Sequence, residues 1–589
     1  ETTVLSGVPR VTASVGFALE APVRTIASVS PPSRGTGRTA DSTTSEGTAL
    51  ATTTTRTLLL RFVAVLVGLT LVAACGSATP SGTNSAGGVQ ATNPNGGDPA
   101  TEGTPKTGGV LVMGTDREAV GFDPTIQNTN MAAFAVYDSL MKLTPDGGAE
   151  PYLAKSMDSP DGGTTWRLGL REGVMFSDGT PLDAAAVVTN VQRHIDKKSS
   201  PGHRVTTPIK SMRAIDPLTV EFGLDGPFGL FPVAFAGNFT GGSLGLIISP
   251  AALQRYGAQI TTNPVGAGPF VLSSWERDSR MTLTRNPNYW QQGLPRLDGL
   301  EFRPLPDTES RYASIENGDV DLIFGGYHTE LVRGMANPNL RVYYGPGHGA
   351  EWIIFNHTVA PFDDHRMREA LVRGIDLNAL AAVQFRNQME RATGYFSDSS
   401  EYQTPEAAAA WPTYDVERAK ALVQEYVAGG GNATVVYKTT NAPNRVEFAE
   451  FLQAQMATIG ITLQPQFYDR AQYSSSVVQS RDFQIAGNVG GPVDAPYPSS
   501  SNALRTGGSQ NYGAYSNPEV DAMLDRAART TDEAERTRLY QQVQLVTNQD
   551  LAMAYYSRGY LSTIAKPEVK GVVRYLTRDM FYATAWLDR

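Results

Sequence analysis

Leu170-Arg171-Glu172-Gly173-Val174-Met175-Phe176-Ser177-Asp178-Gly179-Thr180-Pro181 joins two segments of different periodicity. Upstream, residues 165–170 (Thr-Trp-Arg-Leu-Gly-Leu) alternate with period two and predict a strand. Downstream, residues 183–197 keep Ala186, Val187, Val191 and Ile195 on one helical face behind Asp183 as N-cap. The joint itself reads as a tight turn. The Asp178 side chain bonds nearby backbone, Gly179 supplies positive φ, and Pro181 starts the next element.

The same alternation continues outward. Residues 109–115 predict a short buried strand, and 130–143 an amphipathic helix. Helices are expected at 364–383, 415–427, 445–459 and 532–550, interleaved with strands such as 433–438 and 461–467. The body from Gly108 to Arg589 spans roughly 480 residues, more than one core supports, so two or three α/β lobes are expected. No internal repeat is visible.

The N-terminal region has another character. Arg61-Phe-Val-Ala-Val-Leu-Val-Gly-Leu-Thr-Leu-Val-Ala-Ala-Cys75-Gly76 holds an apolar core too short for a membrane span and suited to a signal peptide. Residues 1–55 contain no Met and no periodicity, and read as a disordered leader or an over-extended start; 56–74 read as the signal peptide. Residues 75–107 are rich in Gly, Ser, Thr, Pro and Asn, a composition expected of a flexible tether.

The chain carries a net charge of −9, and residues 1–74 hold six Arg against four acids, so the part behind them is more acidic still. That balance argues against nucleic-acid binding, which wants a basic stripe. Cys75 is the only cysteine, so no intramolecular disulfide can form. The six histidines are scattered without ligand spacing, so neither a resident metal nor another cofactor is expected. No phosphate-binding Walker loop is present, which leaves ATP chemistry to a partner. Gly241-Gly242-Ser243-Leu244-Gly245 fits the nucleophile-elbow pattern of a serine hydrolase. An elbow needs a following helix, whereas 244–248 reads as an apolar strand, so an enzyme is not expected and a secreted hydrolase is the remote alternative.

Val72-Ala73-Ala74-Cys75 resembles the lipobox of bacterial lipoproteins, which implies a lipid on Cys75 and a place on the outer face of the cytoplasmic membrane. The body resembles the family 5 extracellular solute-binding proteins, the receptors of oligopeptide and dipeptide ABC importers. The resemblance rests on Glu150-Pro151-Tyr-Leu-Ala154, Asp161-Gly162 with Thr165-Trp166, and the stretch 170–181. It continues through Val265-Gly266-Ala-Gly268-Pro269-Phe270, Arg285-Asn286-Pro287-Asn-Tyr289-Trp290 and Asn317-Gly318-Asp319-Val-Asp321. It closes with Phe355-Asn356, Pro361-Phe362-Asp-Asp-His-Arg366-Met-Arg368 and Ser516-Asn517-Pro518-Glu-Val-Asp521.

This resemblance implies a periplasmic-binding-protein-like α/β fold, with lobe I at 108–349 plus 556–589, lobe II at 350–555 and a subdomain at 138–240. It implies a monomer that encloses a short peptide between its lobes and hands it to importer permease subunits, with the lipid as sole membrane anchor. A sugar, opine or metal chelate is the alternative cargo. In peptide-binding relatives an Asp-x-x-x-Pro aspartate meets the ligand ammonium; here Gly490-Gly491-Pro492-Val493-Asp494-Ala495-Pro496-Tyr497-Pro498 puts Asp494 four residues before Pro498. Asp494 equally suits a turn beside Pro496. Gly490 and Val493 would present backbone to the ligand, as would Asn130. Trp352, Tyr395, Phe396 and Tyr497 are the aromatic candidates for the cleft wall, each also suited to core packing.

Overall fold

The computed structural model describes residues 101–589 except 127–129, 145–147, 238–242, 326–327, 386, 388, 399, 488–495 and 576–578. Cys75, Gly490, Val493 and Asp494 therefore lie outside the described residues. A ten-stranded sheet runs through the body. Its spine is an antiparallel pair of long strands: Arg341–Phe355 carries the chain out of lobe I, and Ala554–Ala565 brings it back. Beyond the returning strand come Leu322–Gly325, Val110–Thr115, Gly299–Pro304, Arg280–Arg285 and Phe270–Glu276. Beyond the outgoing strand come Ile485–Gly487, Thr434–Thr440 and Thr462–Tyr468.

Each lobe has its own core. Lobe II buries residues between Ala350 and Tyr556, among them Ile353, Phe355, Leu371, Val435, Leu452 and Ile485. Lobe I buries Leu111, Met113, Leu283, Leu300 and Leu322 together with Val569, Met580 and Tyr582 from the returning C-terminal segment. A third core belongs to a subdomain with a four-stranded sheet ordered Ala154–Asp158, Thr165–Leu170, Thr219–Leu224 and Ile209–Asp216. Trp166, Leu168 and Leu170 face inward against Val187 and Val191 of the helix Ala184–Asp196, whose first turn is capped by Asp183 accepting from Ala186 N (2.9 Å).

The turn at Asp178 forms through its own chemistry and is then fixed by neighbours. Asp178 accepts from Thr180 N (3.0 Å) and Ser249 Oγ (2.6 Å), and Gly179 sits at φ +82°. Ser177 N donates to Gly266 O (2.9 Å), and Gly268 N donates to Val136 O (2.8 Å). That last bond explains why the helix expected at 130–143 is only Ala133–Val136: the carbonyl that would continue it is taken from outside. The chain turns extended at Tyr137 and enters the strand Met141–Leu143. The helix expected at 364–383 is likewise two, His365–Arg373 and Leu377–Phe385, parted at Gly374 with Asp376 capping the second. The body also starts before Gly108. Glu102 is buried, accepting from Gly571 N (2.8 Å) and pairing Arg341 (3.4 Å), so the last residues of the expected tether are packed on lobe I.

Two buried polar groups hold lobe I and the subdomain. Asp138 Oδ2 accepts from Tyr289 Oη (2.8 Å) and Trp290 Nε1 (2.7 Å), and the side chain is buried. Burial pushes its carboxyl up to about 6. Because the folded value exceeds the unfolded one, the protonated form favours folding, and that contribution fades as pH rises through about 6. Asp138→Asn should therefore raise the thermal midpoint relative to wild type more at pH 7.5 than at pH 4.5. Calorimetry at both values checks this, and an equal shift at both would contradict it.

Elsewhere, Arg311 Nη2 and Glu330 Oε1 pair at 2.7 Å with both side chains essentially unexposed. The Arg311 Nη1 group donates to Leu305 O (2.7 Å). Removing one partner strands a charge, at a cost of about 3–5 kcal/mol, whereas replacing both with apolar residues is close to neutral. Glu330→Ala should lower stability in urea unfolding much more than Arg311→Met with Glu330→Leu.

Candidate functional site

Strand direction locates the cleft. The outgoing strand enters lobe II antiparallel to Ile485–Gly487, with Ile353 opposite Gly487 and Phe355 opposite Ile485. The carboxyl end of that short strand, Gly487, therefore points back toward lobe I. Thr434–Thr440 runs parallel to it and ends on the same side. In lobe I, Leu322–Gly325 is antiparallel to the returning strand, with Gly325 opposite Ser562, so Gly325 points toward lobe II. Val110–Thr115 and Gly299–Pro304 run parallel with it. Both lobes thus turn the carboxyl ends of their parallel strands onto one crossing, the place where open α/β sheets bind ligands.

On the lobe II side this edge has a defined lining. Gly487 has no room for a side chain, since a Cβ would lie 2.7 Å from Thr439 Oγ1 and 3.0 Å from Tyr437 Oη. Tyr437 is fully buried, and burial pushes its pKa up to about 12. Helix Pro443–Thr458 follows the strand end and puts Arg445 in its first turn. Arg445 Nη1 donates to Tyr556 Oη (2.9 Å) and Glu351 Oε2 (3.4 Å), and Tyr556 Oη donates to Glu351 Oε2 (2.8 Å). The Glu351 charge raises the arginine's pKa. Its Nε and Nη2 find no partner among the described residues, and 19 % of the side chain remains open to solvent. This is the guanidinium edge that suits a bidentate carboxylate.

The expected site residues fall into separate groups. Trp352, Tyr395 and Phe396 come together, but inside the lobe II core: Trp352 tilts against Tyr395 (6.4 Å between centroids), and Phe396 meets Tyr402 (4.9 Å) and Tyr540 (5.7 Å). A buried arginine that sequence reading missed, Arg558 on the returning strand, fixes this group. It donates to the carbonyls of Gly394 (3.1 Å), Tyr395 (3.0 Å) and Phe396 (2.7 Å), and burial pushes its pKa down to about 10.

Asn130 lies in lobe I, donating to Gly121 O (2.9 Å) and accepting from Ala132 N (2.9 Å), so its amide is already engaged. Tyr497 packs edge-on against Phe228 of the subdomain (5.4 Å). The segment bearing Asp494 leaves from Gly487, on the cleft edge, and rejoins the described chain at Pro496, next to Tyr497. Arg445 had one available signal, an arginine just inside a helix that follows a strand. Arg558 had none beyond a lone charge among tyrosines.

Ser243 offers no elbow. It is buried, its Oγ accepts from Gly245 N (3.1 Å), and the next helix starts at Pro250, capped by Ser249. The apolar run after it forms a single bridge, Leu246 to Ser139, with Gly245 O accepting from Leu140 N (3.0 Å) and Leu244 N donating to Ala234 O (2.9 Å) of the short helix Phe231–Phe235.

The description of bacterial extracellular solute-binding proteins, family 5 (middle) matches residues 148–512. The glutathione-binding protein GsiB of Escherichia coli (strain K12) is 32 % identical over 449 residues, covering 74 % of this chain and 86 % of that protein. Among solved structures, the fold is shared by a DppA from Helicobacter pylori in complex with peptide STSA (TM-score 0.69, 24 % identity, 82 % and 99 % of the two chains). It is shared too by NikA from Brucella suis in complex with Fe(III)-EDTA (TM-score 0.72, 21 % identity, 82 % and 100 %). With the match spanning most of the body and the two-lobed sheet in place, the chain belongs to the bacterial extracellular solute-binding proteins, family 5.

Proposed function

We propose that the protein is an extracytoplasmic receptor of an ABC importer that captures a short peptide between its lobes and delivers it to the membrane permease. The observation that carries this reading is the convergence of both lobes' strand ends on one crossing. Relatives named for glutathione or solved with a peptide support the cargo class. An extended peptide laid along such an edge bonds through its main chain, which tolerates varied side chains. Asp494, with Gly490 and Val493 beside it, takes the cargo's ammonium, and Arg445 takes an anionic group through its Nε–Nη2 edge. Such charge-assisted bonds strengthen once closure excludes water. Asn130 bounds the lobe I side; Trp352, Tyr395 and Phe396 back the lobe II wall, and Tyr497 closes its end.

Closure is a population shift: cargo touching both lobes stabilises the closed state, and the permease reads that state. Cys75, lipidated after signal removal, keeps the receptor beside its importer. The whole assignment is of a monomer without cofactor or catalysis. The structural likeness to a protein holding an iron chelate keeps a metal chelate as the second cargo reading.

Calorimetry with glutathione and a di- to pentapeptide pool tests the peptide reading. Binding should weaken about 10-fold or more in Asp494→Ala and in Arg445→Ala, in line with the ~1.5–3 kcal/mol of a hydrogen bond to a charged group. N-acetylated peptides should lose the dependence on Asp494. Absence of peptide binding together with retention of a nickel or iron chelate would move the cargo to the second reading. Cys75→Ser should release the protein from the membrane fraction of expressing cells; continued membrane association would remove the lipid anchor.

A further inference from the structure

The subdomain and lobe II meet along a seam built from segments that do not pair with the crossing strands. Helix Pro518–Arg529 ends on the lobe II side without a glycine cap, the following Thr530 being extended. The last carbonyls of a helix have no partner within it. Here two of them are satisfied from the subdomain: Leu230 N donates to Ala528 O (3.3 Å), and Gly229 N donates to Arg529 O (3.1 Å). The approach is so close that a Cβ on Gly229 would lie 2.0 Å from Thr530 O. Gly163 stands beside it, at φ +100°, where a Cβ would lie 3.2 Å from Thr531 Cγ2.

Apolar contact backs the backbone bonds. Tyr497 packs edge-on against Phe228, and both Tyr497 and Ala528 are counted in the subdomain's core although they belong to lobe II. At the rim, Arg529 Nη1 stands 3.7 Å from Asp225 Oδ1, and Arg204 donates to Asn502. The chain passes between the lobes only at the crossing strands, so these contacts exist only while the lobes are together.

We propose that this seam is a closure latch: the subdomain caps the helix Pro518–Arg529 across the lobe boundary and so supplies a share of closing energy that does not depend on the cargo. This rests on the receptor reading above. Gly229 is then an affinity-determining position that touches no ligand. Apparent affinity scales with the fraction of molecules able to close, so a latch that fails weakens every cargo alike.

The test uses the full-length chain carrying Cys75→Ser, with spin labels on cysteines introduced at the exposed Thr207 and Ser509, on either side of the seam. Electron-resonance distances are measured with and without glutathione or the tetrapeptide Ser-Thr-Ser-Ala, and affinities by calorimetry. Gly229→Ala should lengthen the unliganded distance distribution and weaken whichever probe binds by about 10-fold or more. The thermal midpoint of the unliganded protein should stay within a few degrees. Arg529→Ala, which leaves the glycine contact intact, should give a smaller effect of the same sign. Distances and affinity unchanged in Gly229→Ala would falsify the latch. If wild type binds neither probe but Gly229→Ala still lengthens the distance, the latch stands and the peptide reading fails.

Discussion

The pairing of Arg341–Phe355 with Ala554–Ala565 is the constraint on which the remaining structure depends. It makes one sheet out of two lobes, because each lobe adds its strands to an outer edge of the same pair. It also fixes direction. One strand leaves lobe I and the other returns, so parallel strands added on either side must aim their carboxyl ends at the boundary. The pair is interrupted where the lobes meet, with register shifts between Pro346 and Ala350 and again between Glu351 and Trp352. A bulge raises local twist and weakens the ladder. A hinge placed there bends without unpairing the strands inside either lobe.

The phrases by which the family is most readily recognised serve a different purpose. Ser177 bonds Gly266, Gly268 bonds Val136, Asn286 Nδ2 donates to Gly268 O (2.8 Å), and Tyr289 and Trp290 converge on Asp138. These residues, scattered over more than a hundred positions, interlock as one joint between the subdomain and lobe I. Gly266 and Gly268 are glycines because a Cβ would lie 2.2 Å from Val136 O and 2.4 Å from Val136 C respectively. Such phrases identify the fold because they build it. They touch the cleft only indirectly.

What was legible in the sequence follows from how local its cause is. The Asp178 turn and the helices opening on Asp183 and Asp532 carry their signals within a few residues, and they form where those signals lie. The helix expected at 130–143 failed because its pattern was overruled by a carbonyl bonded to Gly268, far along the chain. The outgoing strand contains Gly345-Pro-Gly-His-Gly349, which reads as a loop. Pairing with the returning strand holds as far as Pro346, opposite Tyr560, resumes at Ala350, opposite Arg558, and so carries one long strand across it. Arg445 and Arg558 hold their positions through partners on other elements, which no window of neighbouring residues displays. Asp494, the residue most exposed to a functional reading, falls outside the described residues.

This division between joint, cleft edge and latch bears on how one fold serves many cargoes. A peptide and an iron chelate are held by proteins whose fold this chain shares. On the reading proposed above, cargo chemistry is concentrated at the strand ends of lobe II, in the first turn after Thr440 and in the segment after Gly487. The interlocked joint lies in lobe I and the subdomain, and the latch lies between the subdomain and the helix Pro518–Arg529. Substitutions at the cleft edge can therefore change what is bound without disturbing either the fold's assembly or the cargo-independent part of closure. The latch has to stay weak for the same reason. A seam strong enough to close most empty receptors would offer the permease a closed state without cargo, so the latch holds only a minor closed fraction and the cargo must supply the deciding share.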